Sequence, residues 1–257
     1  DDVAIAELGG GAEAEKMDHG SMESLCREFY GAVNDAVVQE PYYPFFPEKW
    51  NGILILAEAQ NLSKGNDTYV AFLESLGSPT EKHDRLRLHL KQKGSLAIGP
   101  WDDGSIKLAV KAIWPHQPLE DFGLGNSVVW SKRGQGGENA TPDSQPKETS
   151  AKFYARLLPL LGEQLKNIVV VGSVARYVLE RAGFKKCRLE LAHPSPRNFA
   201  KVAKWFPETD LLRRYPEVEK ALPSCEVYPR QRRVAIAFAC HALSTHLNQR
   251  VIPAESG

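Results

Sequence analysis

Cysteine is scarce: Cys26, Cys187, Cys225 and Cys240 are the only four in 257 residues, and no two form a Cys-x-x-Cys pair. That spacing excludes the common zinc and iron–sulfur frameworks. His241 and His246 are five apart and miss the i,i+4 spacing of a helical metal site. No metal and no cofactor is therefore expected. No apolar run approaches the roughly 20 residues that a bilayer crossing requires, so no membrane partner is expected either. No basic-then-apolar signal opens the sequence and no disulfide framework is visible, which points to a reducing, cytoplasmic compartment. Net charge is missing as well, with 32 Lys+Arg against 32 Asp+Glu. Taken whole, that zero argues against a nucleic-acid partner.

The zero is a sum of unlike parts. Residues 1–48 carry eleven acids and two bases, so the remainder has a net charge of +9. The first 21 residues are Ala/Glu/Gly-rich, with Gly9-Gly10-Gly11, and read as an appended leader or a disordered tail. Without them the chain has a net charge of +5. The apolar fraction of 42% and charged fraction of 25% are those of a globular protein, which excludes wholesale disorder and a fibrous class. With no internal repeat and no long linker, residues 22–257 are expected to form one domain.

Periodicity supplies the order of elements. Leu25, Phe29, Ala32, Val33, Ala36 and Val37 predict a helix over 23–39, ended by Pro41. An aromatic-rich turn occupies 41–47. Ile53-Leu54-Ile55-Leu56 reads as a buried parallel strand, and 58–67 as the polar loop after it. Helices are expected around 67–76, 81–91 and 105–113, a second strand over 122–130, a helix over 149–165 and a third strand over 167–171. Gly172-Ser173 then turns into a helix over 174–182. A short fourth strand over 188–191 and helices around 198–220 and 230–248 complete the chain. Strands alternating with helices predict an α/β fold, a three-layer α/β/α sandwich around a mainly parallel four-stranded sheet. Ligands of such folds lie beyond the carboxyl ends of the strands.

Three segments fall in those loops: Ile55-Leu56-Ala57-Glu58-Ala59-Gln60-Asn61, then Gly125-Asn126-Ser127-Val128-Val129-Trp130, and His193-Pro194-Ser195-Pro196-Arg197-Asn198. Asn139-Ala140-Thr141-Pro142 follows Asn126 by thirteen residues. In this order they resemble the uracil-DNA glycosylase superfamily, nearest its single-strand-selective monofunctional branch, whose second motif reads His-Pro-Ser-Pro-Arg-Asn. The likeness covers roughly residues 50–206. It implies a monomeric hydrolase of base excision repair that flips uracil out of DNA and cleaves its N-glycosidic bond. Free uracil and abasic DNA would be the products, with no lyase activity, and a bacterial host would keep the enzyme near its nucleoid.

The resemblance also implies roles. His193 would donate to the uracil O2 as charge builds on the departing base, a preplaced donor of the kind that contributes a few kcal/mol. The flanking prolines stiffen that loop and keep it out of the sheet. Arg197 would fill the gap left by the flipped base, offsetting part of the few kcal/mol that flipping costs. Ser195 would bind a backbone phosphate, with Asn198 and Lys201 beside it on the DNA. The side-chain amide of Asn126 suits the N3–H and O4 edge of uracil. Phe72, thirteen residues beyond Ala59, sits at the spacing of the base-stacking aromatic, with Tyr69 as its substitute.

The first segment departs from the pattern. The family usually carries Asp or Asn where this chain has Ala59, and Gln60 replaces the neighbouring proline. Gln60, Asn61 and Glu58 remain as candidates to hold the attacking water, and Glu58 reads equally well as a structural carboxylate. Ser173, at a helix start, is a candidate phosphate contact through exposed N–H groups, or simply an N-cap. Lys132, Arg133 and Lys204 could add phosphate contacts; Arg230, Arg232 and Arg233 read as a solvated face. Two alternatives stay open. One is a catalytically weakened module binding uracil-containing or abasic DNA, and the other is a glycosylase for other deaminated bases.

Overall fold

A computed structural model describes residues 17–34, 39–41, 43–59, 116–130, 143–184, 188–191 and 212–214, with single positions at 36, 71, 75, 110, 113, 114, 216 and 240. Its centre is a four-stranded, all-parallel sheet in the order β2-β1-β3-β4: β1 Ile53–Ala57, β2 Gly123–Asn126, β3 Asn167–Val171 and β4 Arg188–Leu191. Helices α2 (Ser144–Leu160) and α3 (Ser173–Arg181) connect β2 to β3 and β3 to β4. This is the expected α/β architecture.

Parallel register explains why the inner strands are continuously apolar. Leu54 lies level with Ile168 and Leu56 with Val170, and these four point into a core shared with α2, α3 and α1 (His19–Glu28). Ile55, Val169, Val171 and Leu189 alternate to the other face and are just as fully buried, so the sheet is covered on both sides. On that second face the Trp114 ring lies tilted against Phe122, 5.7 Å between centroids, and the Trp114 backbone N–H donates to Val110 O in a helical turn. The three-layer arrangement follows. Glu190, on the helix face of β4, pairs with Arg176 of α3 at 3.6 Å.

The aromatic segment before β1 has a clear purpose. Phe45 exchanges both backbone hydrogen bonds with Leu124, at 2.7 and 2.9 Å, and so runs antiparallel along the outer edge of β2. Pro44, Phe46 and Trp50 press onto the β2 backbone where a side chain on Gly125 or Gly123 would otherwise stand. Covering that edge removes a row of unpaired backbone groups.

Several boundaries differ from the sequence expectation. The first helix begins earlier and ends sooner: Asp18 accepts from Ser21 N–H at 3.0 Å and caps it, and Met22 is already core. The boundary drawn after residue 21 therefore falls inside a helix. At the other end Gly31 takes φ 70 and gives its N–H to Gln39 O, so apolar spacing through Val37 does not extend the helix. The second strand stops at Asn126, not at 130. Consecutive amides, Ser127 and Val128, donate to consecutive carbonyls, Ala57 and Glu58, whereas a pleated strand alternates them. Helix α2 starts and stops five residues before the expected 149–165, from Asp143 at its N-cap to a short 3-10 turn, Gly162–Gln164. The helices expected at 81–91, 198–220 and 230–248 lie mostly outside the described residues.

Candidate functional site

Because the four strands are parallel, their carboxyl ends form one edge. Ala57 lies level with Asn126, and Val171 with Leu191. Continuing the β1–β3 register by one residue sets all four in a single row on one face. Two of the three motif segments leave from this row, after β1 and β2. The third begins at His193, two residues beyond the end of β4.

Asn126 closes β2 with only 9% of its surface exposed. Its backbone is held from beneath by α2, where Tyr154 Oη donates to Asn126 O at 2.6 Å inside the core. One helical turn earlier, Ser150 Oγ accepts from Val129 N–H at 3.2 Å. The i,i+4 spacing of Ser150 and Tyr154 aims both at the same loop. Trp130 is buried and donates its indole N–H to Gln39 O at 3.3 Å. The loop after β2 is thus pinned at residues 126, 129 and 130, and a buried amide on a stiff loop is suited to reading a planar, hydrogen-bonding ligand edge.

Glu58 leaves β1 half-buried. Its backbone carbonyl accepts from Ser127 Oγ at 2.7 Å and from Val128 N–H at 2.9 Å. Its side chain crosses to the start of α3, where Oε1 accepts from Val174 N–H at 3.2 Å. A carboxylate there satisfies an otherwise orphaned helix amide and faces the positive end of the helix dipole. Gly172 makes room for it. It takes φ 95, and a β-carbon at that position would stand 2.3 Å from Glu58 Oε1. Gly172 N–H also donates to Leu191 O at 2.8 Å, which ties the same turn to the end of β4.

Two sequence expectations change here. The structural reading of Glu58 gains a specific partner, so the carboxylate first weighed as a holder of water serves as a helix cap. Ser173 is not the N-cap: Gly172 occupies that position, the cap comes from Glu58, and Ser173 is the exposed first residue of α3. The Val174 amide that an approaching phosphate would use is already engaged. Ala59 follows Glu58 and packs partly buried against the helix-side core. His193, Gln60, Asn61, Phe72, Tyr69, Ser195, Arg197, Asn198 and Lys201 lie outside the described residues.

Ser127, Ser150 and Tyr154 were missed in the sequence. A signal was present: Ser150 and Tyr154 stand four apart among apolar residues on the buried face of a helix, where a polar group needs a partner. Among the described residues no group of three His, Cys, Asp or Glu side chains is placed to hold a metal, and no helix is long and apolar enough to cross a membrane. A scan against protein-family models finds no match, and a search of curated proteins finds none either.

Proposed function

We propose that the chain is a monofunctional uracil-DNA glycosylase. The observation that carries this reading is the common edge: β1, β2 and β4, the three strands that precede the motif segments, end on the same edge of one parallel sheet, β3 lying between β1 and β4, with buried Asn126 at the tip of β2. In the proposed reaction Asn126 reads the flipped uracil and Phe72, or Tyr69 in its place, stacks on it. His193 donates to O2 as the N-glycosidic bond breaks. Because Glu58 caps α3, Gln60 or Asn61 holds the water that completes hydrolysis. Arg197 fills the vacated stack, and Ser195, Asn198 and Lys201 engage the DNA backbone, so binding weakens as salt rises. A monomer acting in the cytoplasm without metal or cofactor belongs to the same proposal.

The test is direct. The protein is incubated with an oligonucleotide carrying one uracil, and alkali then breaks the strand at any abasic site. Strand breaks are expected only after alkali, with His193→Ala lowering uracil release about 10²–10³-fold. No release by folded wild-type protein would sink the assignment. One observation favours a second reading, a DNA-binding module without catalysis: the first loop has Ala59 in place of an acid, and the carboxylate of Glu58 is spent on a helix. That reading requires tight, salt-sensitive binding to uracil-containing or abasic DNA with no base released. Release of hypoxanthine in preference to uracil would instead redirect the substrate.

A further inference from the structure

Residue 58 holds the loop after β2 and the start of α3. Through its carbonyl it grips Ser127 and Val128 in the loop after β2, and through its carboxylate it grips Val174 at the start of α3. The turn it presses against, Gly172, is itself bonded to Leu191, the last residue of β4 and two positions before His193. These partners lie 69 and 116 positions from Glu58 in the chain, so no local turn geometry accounts for them. Beyond the sheet's own pairing, the end of β1, the loop after β2 and the start of α3 are set against one another by a single residue.

We infer that Glu58 is the positioning residue of this site: it fixes the end of β1, the loop that follows Asn126 and the turn into α3 against one another. The inference rests on the glycosylase reading for its purpose, while the tie itself stands on the geometry. A displacement of about 1 Å between reacting groups can cost about a hundredfold in rate, so a residue that sets inter-loop distance acts on the maximal rate more than on DNA affinity. It never needs to touch the substrate.

The role differs in its consequences from that of a base. Glu58→Gln retains an oxygen that accepts from Val174 N–H. Its maximal single-turnover uracil release is expected within about threefold of wild type, with an unchanged pH profile. Glu58→Ala removes the carboxylate arm of the tie, leaving the carbonyl arm to Ser127 and Val128, and is expected to lose about 30- to 100-fold in maximal rate with the half-saturating DNA concentration unchanged. Its Val174 amide should exchange hydrogen faster. Gly172→Ala, which displaces the carboxylate from the other side, should reproduce the Glu58→Ala pattern. If Glu58→Gln is as damaging as Glu58→Ala and abolishes the acid limb of the pH profile, Glu58 takes a proton itself and the positioning role is wrong. If Glu58→Ala speeds Val174 exchange yet releases uracil at the wild-type rate, the tie is merely structural and the inference is overturned. A wild-type chain that releases no uracil, while Glu58→Ala still speeds that exchange, overturns the glycosylase reading and leaves the tie intact.

Discussion

At the amino end of the sheet, Ile53 N–H meets Asn51 Oδ1 at 2.9 Å, and the amides of Lys166 and Asn167 both donate to Gly52 O at 2.9 and 3.2 Å. At the carboxyl end the backbone ties of Ser127, Val128 and Gly172 are joined by side chains from other elements: Glu58 to α3, Ser127 to β1, Ser150 and Tyr154 of α2 to the loop after β2. Closure by backbone and two side chains close in sequence, Asn51 and Trp50, whose indole N–H donates to Ile53 O at 2.9 Å, constrains the path of the chain but leaves most side chains unspecified. Closure by distant side chains specifies residues. Asn51 Nδ2 and Asn167 Oδ1, also at the amino end, are buried with no hydrogen-bond partner among the described residues. The end where a ligand is expected is the one braced residue by residue, as a preorganised site requires.

Two positive-φ glycines break this comparison most sharply if it is wrong. Gly52 has φ 84, and a β-carbon on it would stand 2.6 Å from the backbone carbonyl of Gln164, which has little room to move. Gly52→Ala is expected to cost about 3 kcal/mol, from left-handed strain of about 1–2 and forced packing of about 1–3, measured by urea unfolding. Activity per folded molecule should stay near wild type. Gly172→Ala meets a side chain instead of backbone, so Glu58 can swing away, and the expected cost is smaller, about 2 kcal/mol including the lost cap. Its activity per folded molecule should nevertheless fall. An equal loss of activity in both variants would erase the distinction between the two ends.

A smaller effect is expected beneath Asn126. Tyr154→Phe leaves the buried Asn126 carbonyl without its 2.6 Å donor, at an expected cost of about 1–2 kcal/mol. On the glycosylase proposal, binding of uracil-containing DNA should weaken more than binding of an abasic product, since the affected strand end carries the proposed base reader. At the amino end the matching experiment is Asn167→Val. Oδ1 already lacks a partner, and a β-branched residue suits a strand, so stability should change by less than about 1 kcal/mol.

How far these features were legible depends on the range of the interaction behind them. Ile53–Ala57 and Asn167–Val171 announced themselves because an uninterrupted apolar run between turn residues has few homes other than a two-sided buried strand. The end of α1 was not legible from Leu25 to Val37, since apolar spacing continues past the point where Gly31 turns the chain back. The limit of β2 depends on which carbonyls Ser127 and Val128 find on β1, and no pattern within 122–130 contains that information. Glu58 was singled out for its place in a loop, but its partner is 116 residues away. Gly172 was legible as a strand-to-helix turn; why it must be glycine was not, because the reason is the carboxylate of Glu58.

The mildest perturbation tests whether braces away from both ends matter to the site. Glu148 of α2 accepts from Tyr177 and Arg181 of α3, and Glu28 of α1 pairs with Arg156 of α2 at 2.6 Å. The Tyr177 hydroxyl, with Arg181 behind it, holds the Glu148 carboxyl below its ordinary value, and the Arg156 guanidinium does the same for Glu28. A carboxyl whose pKa is lower in the folded chain contributes stability that is complete above its unfolded value. That contribution is lost as pH falls through the folded value. Unfolding midpoints should therefore hold steady from neutral pH down to the ordinary carboxylate range and decline below it. Glu28→Gln and Glu148→Gln should each flatten that decline slightly, because exposed pairs contribute little and are screened by salt. On the glycosylase proposal, both variants should release uracil at the wild-type rate. A loss of activity in Glu148→Gln at full folding would mean that the packing of α2 on α3 transmits to the loops, and the bracing of the carboxyl edge would then extend beyond Glu58, Ser127, Ser150 and Tyr154.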